Sequence, residues 1–216
     1  RYLQRSSIRD ADEVLVVSDY YRKHLRKEFR SQIVQNFKVF HNPIDTRQIS
    51  VGSKTTWNFE ETPRFLFCNR IQDFKGFDLL LRAVLRLRKE TENFSVLVAG
   101  NHHPSIPKKS ILNFISDHQL ESHITFLGHL KSAELRKVMK TSVVVVPSYF
   151  ETFGMTGIEA IATGSRLIHT KVGIMADAPQ FFGVRLVNPN DEEGLLIALR
   201  SFINNEKNYG SVDIEH

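Results

Sequence analysis

The stretch of sequence that decides the fold is VVVVPSYFETFGMTGIEA, residues 143–160. Its four consecutive valines, Val143–Val146, form a short apolar run that is typical of a fully buried strand in a parallel sheet. The loop that follows carries Glu151, and a helix is predicted from Gly154 to Thr163. A strand, a loop with a charged residue and a helix in this order indicate one βα unit, with polar groups at the carboxyl end of its strand.

The same alternation of strands and helices extends in both directions from this unit. The predicted strands are Glu13–Ser18, Phe37–His41, Arg64–Cys68, Phe94–Ala99, Ile124–Leu127, Arg166–His169 and Val184–Val187. The predicted helices are Asp19–Arg30, Phe77–Leu87, a helix that contains Ile111 and Ile115, Glu134–Met139 and Glu192–Asn204. This pattern predicts the α/β class, with a Rossmann-like doubly wound parallel sheet and helices on both faces. Ligands are then expected at the carboxyl ends of the strands.

The pattern along the chain predicts two unequal parts. Residues 46–62 lack periodicity and are predicted to be a linker between residues 1–45 and a larger domain at 63–205. Residues 206–216 are predicted to be a tail. Because the chain begins with Arg1 rather than Met, we expect it to be part of a longer protein.

The composition excludes several classes of protein. Of the 216 residues, 41% are hydrophobic and 25% are charged, as in globular proteins. No apolar run approaches the roughly 18 residues that a membrane-spanning helix needs. The single cysteine, Cys68, cannot form an internal disulfide, which favours a reducing, cytoplasmic location. The net charge of +5 suits an anionic partner such as phosphate, nucleic acid or an acidic lipid surface.

Two cations lie in the loop between the strand that ends at Cys68 and the helix that begins near Gly76. Arg70 and Lys75 can both turn toward one anion, because a guanidinium presents a planar fork to phosphate and a lysine adds a mobile point charge. The alternative is a basic loop that is only solvated.

The N-terminus of the helix after Val146 is a second candidate. Backbone N–H groups around Phe153–Thr156 lack partners within the helix and form a natural anion site, and Gly154 removes side-chain bulk where a ligand approaches. Glu151 and Glu159 are carboxylates that could hold sugar hydroxyls. The alternatives are a favourable charge near the helix dipole for Glu151 and an ordinary surface position for Glu159.

These residues stand in a frame that resembles family 4 retaining glycosyltransferases, which have a GT-B fold. The shared features are Arg70 and Lys75 at this spacing, Glu151 and Glu159 with seven residues between them, Val-Pro-Ser before the first glutamate, Ala-Thr-Gly after the second and Phe-Leu-Gly at 126–128. The resemblance covers about residues 60–205 as the C-terminal, nucleotide-sugar-binding half of the fold. Residues 11–45 are similar to the end of its N-terminal, acceptor-side half.

The resemblance implies a binding site for a nucleotide-diphosphate sugar, with UDP as the expected nucleotide. Arg70 and Lys75 would hold the diphosphate, Glu151 the sugar and Glu159 the ribose, while the nucleobase would lie near the loop at Gly128–Lys131. The residues expected to bind the donor are Arg70, Lys75, Gly128, Leu130, Phe153, Gly154, Met155, Thr156 and Glu159; the expected catalytic residues are Arg70, Lys75 and Glu151. Neither a metal nor a cofactor is expected, because the cations and the helix dipole supply the electrostatic stabilisation.

The resemblance also sets expectations for partners. The acceptor would be a glycan or a lipid-linked molecule, as in polysaccharide or glycolipid biosynthesis. Transfer of the sugar to this acceptor would need the missing N-terminal domain. The chain alone is therefore expected to bind nucleotide without transferring sugar. The basic helix Asp19–Arg30 is expected to be solvated or to lie on a membrane surface. Strands within residues 1–45 are expected to pair with a second copy or to be mobile. No nucleic-acid partner is expected.

Three positions depart from the pattern of the family. Asn69 stands where Gly is usual, Arg166 where Pro is usual, and Ile174 where a second Gly is common. The loop that contains Ile174 could approach the donor, so the sugar stays open. Two alternative functions remain: a nucleotide-sugar epimerase of the same fold, and a non-catalytic module whose sheet binds a partner protein.

Overall fold

The computed structural model describes residues 11–29, 37–44, 62–177 and 183–204. Its strands are β1 (Val14–Val16), β2 (Phe37–Val39), β3 (Arg64–Phe67), β4 (Ser95–Ala99), β5 (Ile124–Gly128), β6 (Val143–Val146), β7 (Arg166–Thr170) and β8 (Val184–Val187). Its α-helices are α1 (Asp19–Phe29), α2 (Phe77–Arg88), α3 (Lys108–Asp117), α4 (Ser132–Lys140), α5 (Met155–Ala162), α6 (Ile174–Asp177) and α7 (Glu192–Ile203). The predicted linker, apart from Thr62, and the predicted tail lie outside the described residues.

Six of the strands form one parallel sheet, which confirms the predicted α/β class. Their order is β5-β4-β3-β6-β7-β8, so the chain starts in the middle at β3, moves outward to β5 and returns to the other side of β3 as β6. In such a doubly wound sheet the loops after β3 and β6 diverge and leave a crevice between them. The loops with the predicted cations and glutamates are therefore neighbours at this reversal point.

The four valines of β6 show that both faces of the sheet are covered. Each is at most 3% exposed. Val143 and Val145 pack in a core with α2, α3 and α7, whereas Val144 and Val146 pack in a second core with α4 and α5. Two buried faces explain why this strand is a continuous apolar run rather than an alternating one.

Some boundaries differ from the sequence prediction. Helix α5 begins at Met155 and ends at Ala162, because Gly154 and Thr163 are its capping residues. Strands β1 and β2 are each only three residues long. A 3-10 turn at Asp73–Lys75 and the short helix α6 were not predicted, since neither is long enough for helical periodicity to show. No helix within the described ranges is long and apolar enough to cross a membrane.

The N-terminal part forms a small β1-α1-β2 unit in which the two strands are parallel. It packs on its own chain: the Ser18 hydroxyl donates to the Thr152 carbonyl at 2.6 Å, and the Tyr20 N–H donates to Asp177 Oδ2 at 2.8 Å. The Phe150 ring lies 4.7 Å from the His24 ring. Docking on the loop after β6 was not foreseen from the sequence. Self-association through residues 1–45 stays a prediction.

Candidate functional site

The candidate site lies where the loops after β3 and β6 meet. The Lys75 ammonium contacts both carboxylate oxygens of Glu151, with Nζ 2.7 Å from Oε1 and 2.9 Å from Oε2. The backbone joins the loops at the same place, since the Tyr149 N–H donates to the Phe74 carbonyl at 2.9 Å. The fold thus brings together two charged residues that are 76 positions apart in the chain.

A glycine allows this close approach. Gly76 has a φ of +69°, and a Cβ atom at this position would lie 2.0 Å from the Pro147 carbonyl oxygen. Any other residue would push the two loops apart or strain the backbone. Gly76 therefore fixes the Lys75 turn against the loop that carries Glu151.

Glu151 is held in a buried setting. Its side chain is 10% exposed and that of Lys75 is 18% exposed. The buried Ser148 hydroxyl donates a further hydrogen bond to Glu151 Oε1 at 2.8 Å. A carboxylate shielded from water needs partners of this kind. The pairing of Lys75 with Glu151 was not predicted from the sequence, which predicts that Lys75 faces the phosphate groups of a ligand.

Arg70 belongs to a second part of the site. Its side chain is exposed, and within the described part of the chain no residue pairs with its guanidinium. Arg70 lines a cavity of about 350 Å³ at the carboxyl ends of β3 and β4. Asn69, His129 and Leu130 also line this cavity. A cation at the edge of such a cavity, with no partner in the described part of the chain, is available to a ligand.

The backbone around Arg70 is fixed by the neighbouring loop after β4. The Ile71 N–H donates to the Asn101 carbonyl at 3.0 Å, and the His103 N–H donates to the Ile71 carbonyl at 3.0 Å. Gly100 permits this contact, because a Cβ atom there would lie 2.2 Å from the Asn69 carbonyl oxygen. Arg70 therefore extends from a rigid backbone.

Glu159 lies in α5 and is half-buried. Burial raises the pKa of its carboxyl above the ordinary value, and the positive charge of Arg136 acts in the opposite direction. Glu159 also influences the buried thiol of Cys68, which lines the same cavity: burial first, and then the charge of Glu159, raises the pKa of Cys68 to about 12. Glu159 therefore lies near Cys68, one of the residues that line the cavity, and Cys68 is a buried apolar residue rather than a nucleophile.

The N-terminus of α5 lies between these two parts. Gly154 precedes the helix with a φ of +97°, and no side chain caps the helix. The Thr156 hydroxyl in the first turn donates to Asn69 Oδ1 at 3.1 Å, which ties α5 to the loop after β3. The Asn69 Nδ2 atom is buried and has no hydrogen-bond partner among the described residues. The N-terminus of α5, whose first N–H groups have no partner within the helix, thus lies beside Asn69, the chain neighbour of Arg70.

The remaining predicted residues have different positions. Leu130 lines the cavity, and Gly128 ends β5 with a φ of +68° and open space around it. Phe153 is 5% exposed, and its ring lies 5.9 Å from the ring of His41, so only its backbone can face a ligand. Met155 is the first residue of α5.

Sequence reasoning missed three residues of the site: Asn69 as a bridge to α5, Ser148 as a donor to Glu151, and the buried His169. Ser148 could have been found from its place three residues before Glu151. A histidine that directly follows the apolar pair Leu167 and Ile168 in a predicted strand was the corresponding signal for His169. Across the described ranges, no group of three or more His, Cys, Asp or Glu side chains could hold a metal ion.

The fold is that of a known class of protein, the GT-B glycosyltransferases. Sucrose-phosphate synthase from Thermosynechococcus elongatus aligns with a TM-score of 0.76 at 20% identity, over 94% of this chain and 52% of that one. HepE from Anabaena, solved with UDP and glucose, aligns with a TM-score of 0.75 at 18% identity, over 94% of this chain and 56% of that one. At these identities, the alignments show the shared fold alone.

The sequence places the chain more closely. Residues 53–212 match the family described as "Glycosyl transferases group 1", and the chain belongs to this family. An uncharacterized glycosyltransferase of Methanocaldococcus jannaschii is 29% identical over 213 residues, which are 96% of this chain and 54% of the relative. The chain spans about half the length of the curated relatives it matches. The resemblance to family 4 glycosyltransferases, and to the C-terminal half of their fold, is confirmed.

Proposed function

We propose that the chain is the donor-binding half of a retaining glycosyltransferase that uses a nucleotide-diphosphate sugar. One arrangement carries this proposal: Arg70, which has no partner among the described residues, lines a cavity, and the N-terminus of α5 lies in the same crevice as the Lys75–Glu151 pair. A volume of about 350 Å³ lies within the range of small-molecule sites. Free N–H groups and two cations suit a diphosphate, and a carboxylate beside them suits a sugar hydroxyl.

Each part of the donor has a proposed place. The nucleobase enters the cavity near Gly128 and Leu130, and its ribose hydroxyls bind Glu159. The diphosphate lies between Arg70 and the N–H groups of α5 and reaches Lys75. Support for a uridine nucleotide comes from HepE, a structure of the same fold solved with UDP and glucose.

Lys75 and Glu151 then act on the bond that breaks. As the sugar leaves, negative charge develops on the diphosphate, and preorganised cations and N–H groups stabilise that charge in a site shielded from water. Lys75 contributes to this stabilisation while its ammonium group also stays in contact with the Glu151 carboxylate. The second carboxylate oxygen of Glu151 accepts a hydrogen bond from a sugar hydroxyl and orients the sugar.

The acceptor and the cellular location are proposed for the whole protein of which this chain is a part. We propose that a glycan or lipid-linked acceptor binds on the side of the β1-α1-β2 unit, and that the chain alone transfers no sugar. Lys23, Arg26 and Lys27 lie on the exposed face of α1 and could contact an anionic membrane surface in a cytoplasmic, peripheral enzyme.

Calorimetric titration with UDP and a panel of UDP-sugars tests the donor site. Arg70→Ala is the informative variant, because Arg70 is exposed and its removal leaves the fold intact. We expect its affinity for UDP to fall about tenfold to a hundredfold, the loss of one hydrogen bond to a charged group. Lys109→Ala, an exposed cation on α3, is the matched control and should bind like the wild type. Absence of binding by the wild-type chain would favour a non-catalytic module instead.

A further inference from the structure

His169 is a fully buried histidine at the carboxyl end of β7. Its Nδ1 atom lies 2.5 Å from the Thr170 carbonyl oxygen. A carbonyl only accepts hydrogen bonds, so Nδ1 carries the proton and Nε2 is an unprotonated acceptor. Nε2 is buried and has no hydrogen-bond partner among the described residues. A histidine in this state is unusual enough to require an explanation.

The ring of His169 packs directly beneath the start of α5. A Cβ atom on Gly157 would lie 2.6 Å from the ring carbon Cδ2 and 2.9 Å from Nε2, and one on Gly154 would lie 3.5 Å from Nε2. Glycine inside a helix is unfavourable compared with alanine. The His169 ring gives the reason for Gly157, because no side chain fits between the ring and the helix.

The last residue of β7 and the first residue of α6 hold the two ends of the loop that carries Glu151. The Thr170 hydroxyl donates to the Ser148 carbonyl at 2.6 Å, and the Ile174 N–H donates to the Phe153 carbonyl at 2.7 Å. These bonds fix the loop before and after Glu151. The ring of His169 adds a contact with the first turn of α5, directly after the loop.

We propose that His169 is a positioning residue whose ring sets the location of Glu151 and of the first turn of α5 relative to Lys75. This inference rests on the proposed function for its link to the donor. Nε2 faces Gly154 and Gly157 rather than a hydrogen-bond donor, so this side of the ring acts through its shape and not through a hydrogen bond. His169 touches neither reactant and acts through Glu151 and the helix N-terminus.

The packing part of the proposal is tested without any ligand. Gly157→Ala should lower the thermal midpoint, because its methyl group overlaps the ring. In a His169→Ala background the same change should raise the midpoint, since the methyl group enters the space left by the ring and alanine favours the helix. Equal shifts in both backgrounds would overturn the contact.

The positioning part is tested by the ratio of the affinities for a UDP-sugar and for UDP. In His169→Ala the affinity for the UDP-sugar should fall about tenfold more than that for UDP, because the hydrogen bond from Glu151 to the sugar is misplaced. Ile168→Ala is the matched control: it empties a buried site on the opposite face of β7 and should leave the ratio unchanged. An unchanged ratio in His169→Ala would overturn the proposal.

Two further outcomes are decisive. If His169→Ala does not fold, Gly157→Ala disturbs the same contact from the helix side, and its affinity ratio must fall for the proposal to stand. If the wild-type chain binds neither UDP nor a UDP-sugar, the proposed function fails, and the thermal midpoints of the Gly157 and His169 variants still decide whether the contact exists.

Discussion

On one side of the crevice, Lys75 and Glu151 form an ion pair whose side chains are 18% and 10% exposed; on the other, Arg70 is exposed and no described residue pairs with it. We call the first group, with Ser148 and His169, the paired region. We call the second, with Asn69, Thr156, Glu159 and the cavity, the open region.

The comparison shows that charged residues of the same crevice serve two purposes, stability of the fold and binding of a ligand. In the paired region the charged groups satisfy one another, so they stabilise the native structure before any ligand arrives. In the open region Arg70 lines a cavity and has no partner among the described residues, which favours a ligand more than the fold. Variants in the two regions should therefore separate stability from binding.

Removal of Lys75 should have the largest effect on stability. Lys75→Ala leaves the buried Glu151 carboxylate without its cation, and breaking such a pair costs about 3 kcal/mol of unfolding free energy. Arg70→Ala, an exposed cation of the same loop, should stay within about 0.5 kcal/mol of the wild type. Urea unfolding measures both. A Lys75→Ala protein as stable as Arg70→Ala would mean that the paired region does not exist in solution.

Acid should weaken the paired region next. Burial lowers the pKa of His169 from 6.5 to about 4, with the Thr170 carbonyl and Glu151 opposing the shift and Lys75 adding to it. Between these pH values the unfolded ring binds a proton that the folded ring does not, so stability falls as the pH falls. The loss is about 1.4 kcal/mol per pH unit, or about 2 kcal/mol from pH 6.5 to pH 5.

The variant His169→Gln isolates this contribution. Its stability should depend less on pH in the same window, because glutamine does not titrate. Urea unfolding of both proteins at a series of pH values gives the difference directly. Parallel pH profiles would show that His169 is not held neutral in the folded state.

Single hydroxyl groups should reveal the same contrast on a smaller scale. The Ser148 hydroxyl donates to a charged carboxylate, so Ser148→Ala should cost about 2 kcal/mol. The Thr156 hydroxyl donates to the neutral amide of Asn69, so Thr156→Val, which keeps the shape of the side chain, should cost about 1 kcal/mol. Chemical unfolding distinguishes the two costs, and the reverse order would contradict the division into regions.

Much of this arrangement was accessible from the sequence. The four valines of β6 and the alternation of apolar runs with helical periodicity gave the sheet, since each depends on local pattern alone. The positions of Arg70 and Lys75 after β3, and of Glu151 after β6, followed because carboxyl ends of parallel strands share one edge.

What the sequence lacked was the pairing of those residues. The contact between Lys75 and Glu151, and that between Ser18 and Thr152, join segments 76 and 134 positions apart and depend on loop conformations that no periodicity encodes. Gly157 in α5 shows the same limit, because the ring that excludes a side chain there belongs to His169 on strand β7. A glycine in a helix is visible in sequence, but its neighbour in space is not.

The smallest change in stability is expected at Glu159, in the open region. Because burial raises the pKa of Glu159, its charged form at neutral pH destabilises the folded state, and stability falls as the pH rises through its folded pKa. Glu159→Gln removes this charge and should change the unfolding free energy by no more than about 0.5 kcal/mol, or increase it slightly.

The affinity of Glu159→Gln should behave differently from its stability. If Glu159 holds the ribose, UDP and UDP-sugars should both bind about tenfold to a hundredfold more weakly, since both ligands lose the same hydrogen bond. Glu151→Gln, its counterpart in the paired region, should instead lose stability, because it removes the charge that balances Lys75, and should weaken UDP-sugars more than UDP. Calorimetry gives the change in affinity of each variant, and urea unfolding gives the change in its unfolding free energy. If Glu159→Gln lost as much stability as Glu151→Gln, both carboxylates would be structural, and the cavity beside Arg70 would have no ribose partner.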